Sequence, residues 1–243
     1  MRILVIGESC VDIFHYGNCS RLCPEGPVPV FSSLSETKNG GMAMNVYRNL
    51  ESFDVSVDIK TNENWQDVKK TRFVEKKSNH MFLRVDENDN HFGKVDLSDI
   101  DFEKYDAVIV SDYNKGFMSE EDLEFISKQH PLTFLDTKKV LGDWCKNFSF
   151  IKINGIEYDK TKHILNDEIN KILIVTQGPK GCIFRDKIYK VPLVEVKDVS
   201  GAGDTFISAF CYMFVTSNNI DNSINFANDC ATKVVQKRGV STI

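Results

Sequence analysis

The stretch Asp198-Val-Ser-Gly-Ala-Gly-Asp204-Thr-Phe206 places two glycines and an aspartate at the start of an amphipathic helix. Apolar residues recur after it at helical spacing, at Phe210, Met213 and Phe214, so one face of the helix is suited to burial. Glycines let backbone N–H groups at the positive end of a helix approach an anion closely. A carboxylate there suits proton removal beside a phosphate on which charge is developing. An ordinary helix start, capped by Ser200 or Asp204, is the alternative interpretation.

Composition limits the class of protein. The chain has 243 residues, 42% of them hydrophobic, which is enough for one domain with a substantial core. Its net charge of −5 argues against a general nucleic-acid binder. No apolar run has membrane-spanning length and the N-terminus turns polar too early for a signal peptide, so we expect a cytoplasmic protein with no membrane partner. The seven cysteines lack CxxC spacing and the five histidines are scattered, which favours reduced core thiols without a structural metal site.

Five short runs are apolar on both faces, as expected for buried strands of a parallel sheet: Arg2–Ile6, Ala107–Val110, Leu132–Leu135, Phe150–Ile153 and Ile172–Val175. Helical patterns occur at about 42–50, 119–129 and 221–236, and Ser119-Glu-Glu-Asp122 has the form of a capping box. The alternation predicts an α/β sandwich of the doubly wound kind, formed by a single domain over residues 1–243.

Polar residues follow each predicted strand: Glu8, Asp112, Asp136, Asn154 and Thr176. Because ligands of open α/β sheets bind outside the carboxyl ends of the strands, these residues predict one polar cleft along a single edge of the sheet. Each residue alone is weak evidence, since polar residues are also common turn formers.

Two β-rich segments, about 12–35 and 72–86, depart from this alternation. The second has the pattern of a hairpin around Ser78-Asn79. We expect the two to form a small sheet that projects from the main domain as a lid. A pair of surface hairpins with no role in closure is the alternative.

Four motifs, in this order along the chain, resemble those of the ribokinase family of sugar kinases, also called the PfkB family. They are Gly40-Gly41-Met-Ala-Met-Asn45, Asn154-Gly-Ile-Glu157, Thr176-Gln-Gly178-Pro-Lys-Gly181 and the Asp198–Asp204 stretch. The resemblance extends from Ile3 to the C-terminus. It implies a ribokinase-like three-layer α/β/α sandwich with a mostly parallel central sheet and a small β lid.

Further segments resemble the bacterial kinases that phosphorylate D-glycero-D-manno-heptose 7-phosphate at the anomeric oxygen. They are Ser20-Arg-Leu-Cys-Pro-Glu-Gly-Pro-Val-Pro-Val30, Leu83-Arg84-Val-Asp86, Ser111-Asp-Tyr-Asn-Lys115-Gly116 and Lys237-Arg-Gly-Val-Ser-Thr-Ile243. Unlike the bifunctional relatives, the sequence has no nucleotidyltransferase segment after Ile243, so a kinase alone is expected.

The resemblance implies a catalytic role for the glycine-rich helix start. Asp204 would be the base that deprotonates the acceptor hydroxyl, and the backbone N–H groups of Gly201, Ala202 and Gly203 would hold the charge of the transferred phosphoryl group. Glu157 would act through Mg²⁺ and its waters. The residues expected to bind ATP are Asn154, Thr176, Gly178, Gly181 and Asn228.

The acceptor sugar would be held by Asp12, Gly40, Gly41 and Asn45, as the resemblance implies. For the phosphate that this sugar carries, the candidates are Arg84 and Lys115, because both lie in the heptose-kinase-like segments. Solvated surface charges are the alternative interpretation of both side chains. Asp136 and Lys138 are also candidate members of the cleft. The family resemblance further implies a homodimer formed through the lid.

Two departures from the family pattern stand out. The region between Asn45 and Arg72 is short, so we expect one edge of the sheet to be trimmed. Met42 and Met44 replace the small residues that are usual in the glycine-pair motif, which would reshape the sugar pocket. Three alternative functions are a catalytically inactive binding module, a dinucleotide-binding protein, and a kinase for another sugar or a nucleoside. The second is disfavoured because no G-x-G-x-x-G follows the first strand.

Overall fold

The computed structural model describes all 243 residues. The chain forms twelve strands: β1 (Arg2–Gly7), β2 (Ser9–Leu22), β3 (Pro29–Met42), β4 (Ser56–Lys60), β5 (Lys69–Glu75), β6 (Met81–Glu87), β7 (Ala107–Asp112), β8 (Thr133–Thr137), β9 (Phe150–Asn154), β10 (Leu173–Thr176), β11 (Cys182–Phe184) and β12 (Lys187–Tyr189). It also forms six α-helices: α1 (Ala43–Glu51), α2 (Glu120–Gln129), α3 (Gly155–Thr161), α4 (Asp167–Asn170), α5 (Ala202–Ser217) and α6 (Ile220–Val234). None of these helices combines the length and the apolar content needed to cross a membrane.

Eight strands form the central sheet, in the order β12-β11-β10-β9-β8-β7-β1-β4. The six strands from β10 to β4 run parallel, and β11 and β12 add an antiparallel edge. All five strands expected from apolar runs lie in the parallel part, which confirms those predictions. The short edge strands β4, β11 and β12 are not evident in the sequence pattern, since their side chains are only partly apolar.

The core lies on both faces of this sheet because side chains of a strand alternate between the two faces. On β1, Ile3 and Val5 pack towards α1, α5 and α6, whereas Leu4 and Ile6 pack towards α2 on the other face. Each such fully buried side chain contributes about 1.5 to 3 kcal/mol to folding. The predicted three-layer α/β/α sandwich is confirmed.

The remaining four strands form a second sheet, in the order β3-β2-β5-β6. Both segments expected to be β-rich belong to it, and the β5–β6 hairpin turns at Asn79, which has φ of 60°. We call the side that bears Asp12, Phe14 and Tyr16 the inner face and the opposite side the outer face. On the inner face Phe14 and Tyr16 pack with Val240 of the C-terminal segment, so the second sheet is anchored to the end of the chain.

The capping box predicted at Ser119 is confirmed. Its side chain accepts a hydrogen bond from the Asp122 backbone N–H, and the Asp122 side chain accepts one from the Ser119 backbone N–H. The shortened region after Asn45 lies at the edge of the central sheet opposite β12. It contains α1 and β4, and β4 is the outermost strand.

Candidate active site

The glycines of the Asp198–Asp204 stretch are required by close packing. Gly201 has φ of 79°, a left-handed conformation that favours glycine, and α5 begins at the next residue. A Cβ on Gly201 would lie 2.6 Å from Asn45 Nδ2, and one on Gly203 would lie 2.6 Å from Lys152 Nζ. The turn thus places its backbone N–H groups close to the Asn45 amide and the Lys152 ammonium group. An anion site needs several donors that converge in this way.

Asp204 lies in the first turn of α5 and is buried. Asn45 Nδ2 donates to one carboxylate oxygen and the Tyr113 hydroxyl donates to the other, each at 2.8 Å. Burial, helped by the Asp136 charge, raises the pKa of Asp204 to about 6, although the two hydrogen bonds and Lys152 oppose the shift. Such a carboxylate is ionised at neutral pH but is a stronger base than an ordinary aspartate, which suits general-base chemistry.

Beside Asp204 runs a buried chain of alternating charges. Lys152 on β9 donates to Asp136 on β8 at 2.8 Å, and Lys138 lies 3.6 Å from Asp136 and 2.7 Å from Glu157. Burial opposes the ionisation of Asp136, but Lys138 and Lys152 hold its pKa below the ordinary value. The chain ends at Lys152, whose ammonium group faces Gly203, and so it keeps a positive charge at the glycine-rich turn.

The Asn154-Gly-Ile-Glu157 motif forms a capping box at the start of α3. The Asn154 side chain accepts from the Glu157 backbone N–H at 3.0 Å, and Glu157 Oε2 accepts from the Asn154 backbone N–H at 2.7 Å. The motif thus has a structural role in addition to the expected one. Asn154 lies at the end of β9, one strand away from the cleft described next.

A cleft with mostly apolar walls lies beside the glycine-rich turn that precedes Asp204. Its lining includes four predicted ATP-binding residues, Thr176, Gly178, Gly181 and Asn228, and two residues of the predicted anion hole, Ala202 and Gly203. Val191, Leu193, Val199 and Phe206 supply apolar surface. Asn228 also holds the cleft together, since its Nδ2 donates to the Tyr189 carbonyl at 3.3 Å. Apolar walls beside a phosphate-sized anion site suit a nucleotide base.

The predicted sugar-binding residues lie on the opposite side of Asp204. Asp12 on β2 is buried and forms an ion pair with Arg72 on β5. A Cβ on Gly41 would overlap the Asp12 carboxylate, and one on Gly40 would overlap the Met44 side chain, so both glycines leave room for a neighbour. Asn45 follows on α1 and reaches Asp204, which joins this group to the glycine-rich turn.

The two predicted phosphate ligands, Arg84 and Lys115, already have anionic partners. Arg84 lies opposite Arg72 in the β5–β6 register and makes two 2.7 Å hydrogen bonds to Asp86. Lys115 pairs with Asp89. Each cation keeps further N–H donors for a phosphate, because these contacts use only some of the five donors of a guanidinium and the three of an ammonium group.

Sequence reasoning missed three members of the site: Arg72, Tyr113 and Lys152. Lys152 carries a detectable signal, because a lysine in the otherwise apolar run Phe150–Ile153 is unusual unless its charge is paired. Arg72 and Tyr113 offer no such signal, since only the folding of β5 and of the loop after β7 brings them to Asp12 and Asp204.

Buried Glu8 holds the loop that carries Tyr113. One of its carboxylate oxygens accepts from the Tyr113 backbone N–H at 2.8 Å and the other from the Lys115 backbone N–H at 2.9 Å. Burial and the nearby Asp112 carboxylate raise the pKa of Glu8, while these backbone hydrogen bonds oppose the shift. The polar residue after β1 thus orders the loop after β7.

Comparisons with known proteins find similar sequences and similar folds. Residues 144–243 match the family described as pfkB family carbohydrate kinase. The chain is 30% identical to the "Bifunctional protein HldE" of a Nitratiruptor species over 292 aligned positions, which cover 99% of this chain and 63% of that protein. It is also 30% identical to the protein of the same name from Helicobacter pylori, covering 98% of this chain and 63% of the relative.

This chain thus spans about 63% of the length of these relatives. The alignments extend over more positions than its 243 residues, so the relatives carry internal segments that this chain lacks.

Solved structures show the same fold at low sequence identity. The ribokinase of Thermotoga maritima superposes with a TM-score of 0.72 at 15% identity and covers 98% of this chain and 94% of its own. The nucleoside kinase of Methanocaldococcus jannaschii, described as an archaeal member of the ribokinase family, gives 0.72 at 18% identity, with 98% and 93% coverage. The chain therefore has the ribokinase fold, and its C-terminal part, residues 144–243, is similar to the pfkB family of carbohydrate kinases.

Proposed function

We propose that this chain transfers the γ-phosphate of ATP to the anomeric hydroxyl of D-glycero-D-manno-heptose 7-phosphate, which yields the 1,7-bisphosphate and ADP. The observation that carries a kinase function is the buried Asp204 at a glycine-rich helix start, between a cleft suited to a nucleotide and a polar acceptor site. The heptose is supported by the similarity to the two bifunctional HldE proteins and by the heptose-kinase-like segments.

The residues present account for each part of the transfer. Asp204 takes the proton of the acceptor hydroxyl while the oxygen of that hydroxyl attacks the γ-phosphorus in line. One P–O bond forms as the bond between the γ-phosphorus and ADP breaks. The backbone N–H groups of Gly201–Gly203 and the Lys152 ammonium group stabilise the charge on the transferred group. Asp12, Gly40, Gly41 and Asn45 orient the sugar.

Mg²⁺ fits the donors at the strand ends. The Asp136 Oδ1 atom is buried without a hydrogen-bond partner, and Glu157 lies on the other side of Lys138. No group of three or more His, Cys, Asp or Glu side chains converges, which suits an ion held mainly by nucleotide phosphates and waters. Glu157 would hold such waters through its carboxylate, which Asn154 orients by two donated hydrogen bonds. The ion would neutralise phosphate charge.

An acceptor panel tests the proposed substrate. With ATP and Mg²⁺, we expect ADP release with heptose 7-phosphate to exceed that with ribose, fructose or adenosine by at least about 100-fold in kcat/KM, because a site built to pair polar groups rejects ligands that lack them. Mass spectrometry would identify the bisphosphate. Strong turnover of ribose, fructose or adenosine without turnover of the heptose would support the alternative, a kinase for another sugar or a nucleoside.

The hydroxyl group of Tyr113 is expected to set the pH dependence. A donated hydrogen bond stabilises the ionised carboxylate, so Tyr113→Phe should raise the pKa of Asp204 above about 6 and move the acidic limb of kcat/KM to higher pH. At pH 8 the rate should change only a few-fold. Asn45, Asp136 and Lys152, the other groups facing Asp204, stay in place.

The measurement is kcat/KM from pH 5 to 9 for wild type and variant. Tyr212→Phe is a matched control, because Tyr212 packs against Phe53 and Phe226. Superimposable profiles for Tyr113→Phe and wild type would show that the hydroxyl does not influence the base.

We also propose that the second sheet acts as a lid and joins two copies of this chain. Its outer face bears apolar side chains without cover, including Leu83 at 55% and Val85 at 39% exposure. Both lie on the edge strand β6, so the face and the edge are available together. Light scattering should give the mass of two chains, and the mass of one chain at all working concentrations would exclude this dimer.

A further inference from the structure

A polar pocket lies between the inner face of the second sheet and the C-terminal segment. It is lined by Tyr16, Ser35, Thr37, Asn39, Lys76 and residues 238–240. In the β2–β3 register Tyr16 lies opposite Ser35, and Asp12 lies opposite Asn39. Because opposite residues share a face of the sheet, these hydroxyl and amide groups form one polar row along the inner face.

This row leads away from the catalytic turn. At one end Asn39 lies beside Asp12, a proposed sugar ligand, and Val240 lies 3.2 Å from the position of a Cβ on Gly201. Alternate residues of a strand are about 7 Å apart, so Thr37 and Ser35 lie roughly 7 and 13 Å further along. The pocket therefore continues along the inner face from the proposed sugar ligand Asp12 towards Lys76 and Arg238.

Two cationic side chains, Lys76 and Arg238, lie at the end of the pocket remote from Asn39. The Lys76 ammonium group has no hydrogen-bond or ion-pair partner, and the Arg238 guanidinium donates only to the Lys76 carbonyl, at 2.9 Å. Asp198 accepts a hydrogen bond from the backbone N–H of Gly239, a lining residue, but does not itself line the pocket. Arg84 and Lys115, in contrast, pair with Asp86 and Asp89, two carboxylates that Lys70 also contacts. A planar guanidinium, an ammonium group and several hydroxyls form a donor set that suits a phosphate group.

We propose that the pocket of Lys76 and Arg238 binds the phosphate that the acceptor sugar already carries, and so selects phosphorylated over unphosphorylated sugars. This inference rests on the proposed sugar-phosphate kinase activity. The site belongs to the acceptor and is separate from the anion hole at Gly201–Gly203, which receives the phosphoryl group of ATP. The two phosphates of the product would lie at opposite ends of the polar row.

The test is a comparison of KM values for heptose 7-phosphate and for ATP in Lys76→Met, Arg238→Met and the double variant. Because both cations are exposed, each single change should raise the KM for the sugar phosphate about tenfold and the double change about 100-fold, with kcat and the KM for ATP nearly unchanged. Arg238→Lys should recover part of the loss. Lys77→Met is the matched control, since Lys77 does not line the pocket.

Binding of heptose 7-phosphate to the Asp204→Asn protein, measured by calorimetry, gives a readout that is independent of turnover. There too the double variant should bind about 100-fold more weakly. An unchanged KM and affinity in the double variant would refute the inference, as would a loss found only in Arg84→Met or Lys115→Met.

Failure of this phosphate-pocket inference can be distinguished from failure of the proposed heptose kinase activity. If the enzyme instead prefers ribose 5-phosphate or fructose 6-phosphate, the heptose proposal fails, but the Lys76 and Arg238 variants should still raise the KM of that acceptor. If only unphosphorylated acceptors are turned over and none of the sugar phosphates binds, both are refuted.

Discussion

Asp204→Asn is expected to lower kcat about 10³-fold while leaving the KM for ATP within a few-fold of wild type. The amide cannot take the proton of the acceptor hydroxyl, and general-base catalysis contributes about 10²- to 10⁴-fold. The nucleotide cleft keeps its shape, because its lining does not include Asp204. Initial rates of ADP release over a range of acceptor and ATP concentrations measure the effect. Near-normal turnover in a folded variant would exclude Asp204 as the base.

The same variant should be at least as stable as wild type at neutral pH. The folded-state pKa of Asp204, about 6, lies above its ordinary value of 3.8. Between those two pH values the folded protein retains a proton that the unfolded chain releases, so stability falls as pH rises and levels off above pH 6. Removing the charge recovers at most about 3 kcal/mol at pH 7, reduced by the poor match of a new amide with Asn45.

Denaturant unfolding at pH 4 and pH 7 tests this sign. The gain of Asp204→Asn over wild type should be present at pH 7 and small at pH 4, where the wild-type carboxyl holds its proton. A variant much less stable than wild type at pH 7 would mean that hydrogen bonding of the carboxylate outweighs its desolvation.

Lys152→Met is expected to give the second largest loss, a decrease in kcat of about 10²- to 10³-fold. That is the usual effect of removing one preorganised donor from a site where transition-state charge develops. The ammonium group lies beside Gly203 and is buried with Asp136 on the other side. Methionine keeps the length and apolar part of the side chain, so the change removes mainly the charge.

The loss of Lys152 has a structural cost that must be separated from the catalytic one. Removing one partner of a buried ion pair costs about 3 to 5 kcal/mol, because the other charge is left without compensation. The double variant Lys152→Met/Asp136→Asn removes both charges and should recover most of the stability but none of the activity. Recovery of activity along with stability would show that Lys152 acts only in folding.

Most of the central sheet was predictable from local pattern. The β1, β7, β8, β9 and β10 strands are apolar on both faces, and only a parallel sheet covered by helices buries such strands. The edge strands were not predictable, because half of their surface is solvated and their sequences resemble loops. The polar residues after the strands lie at one edge of the sheet, since parallel strands end at the same edge, but of the five only Thr176 lines the apolar cleft.

The site was predictable where chemistry and local conformation coincide. Gly201 and Gly203 are needed for a turn that allows close approach, and Asp204 follows them directly, so one short stretch contains both the proposed base and the proposed anion hole. Lys152, Tyr113 and Arg72 lie far apart in sequence and reach the site only through strand order and cross-strand register. Arg84 and Lys115 show the converse, because the aspartates that pair with them are identified only by contacts in the fold.

The sequence by itself determined the sheet, the glycine-rich turn and the position of Asp204, because each depends on periodicity or backbone conformation over a few neighbouring residues. Only the tertiary structure decided the pKa of Asp204 and which cationic side chains lack an ion-pair partner. Burial of Asp204 beside Asp136 raises its pKa, and the ion-pair partners leave Lys76 and Arg238 unpaired while Arg84 and Lys115 each contact an aspartate. Charge pairing and desolvation depend on distances in the folded protein, and separation along the chain does not determine those distances.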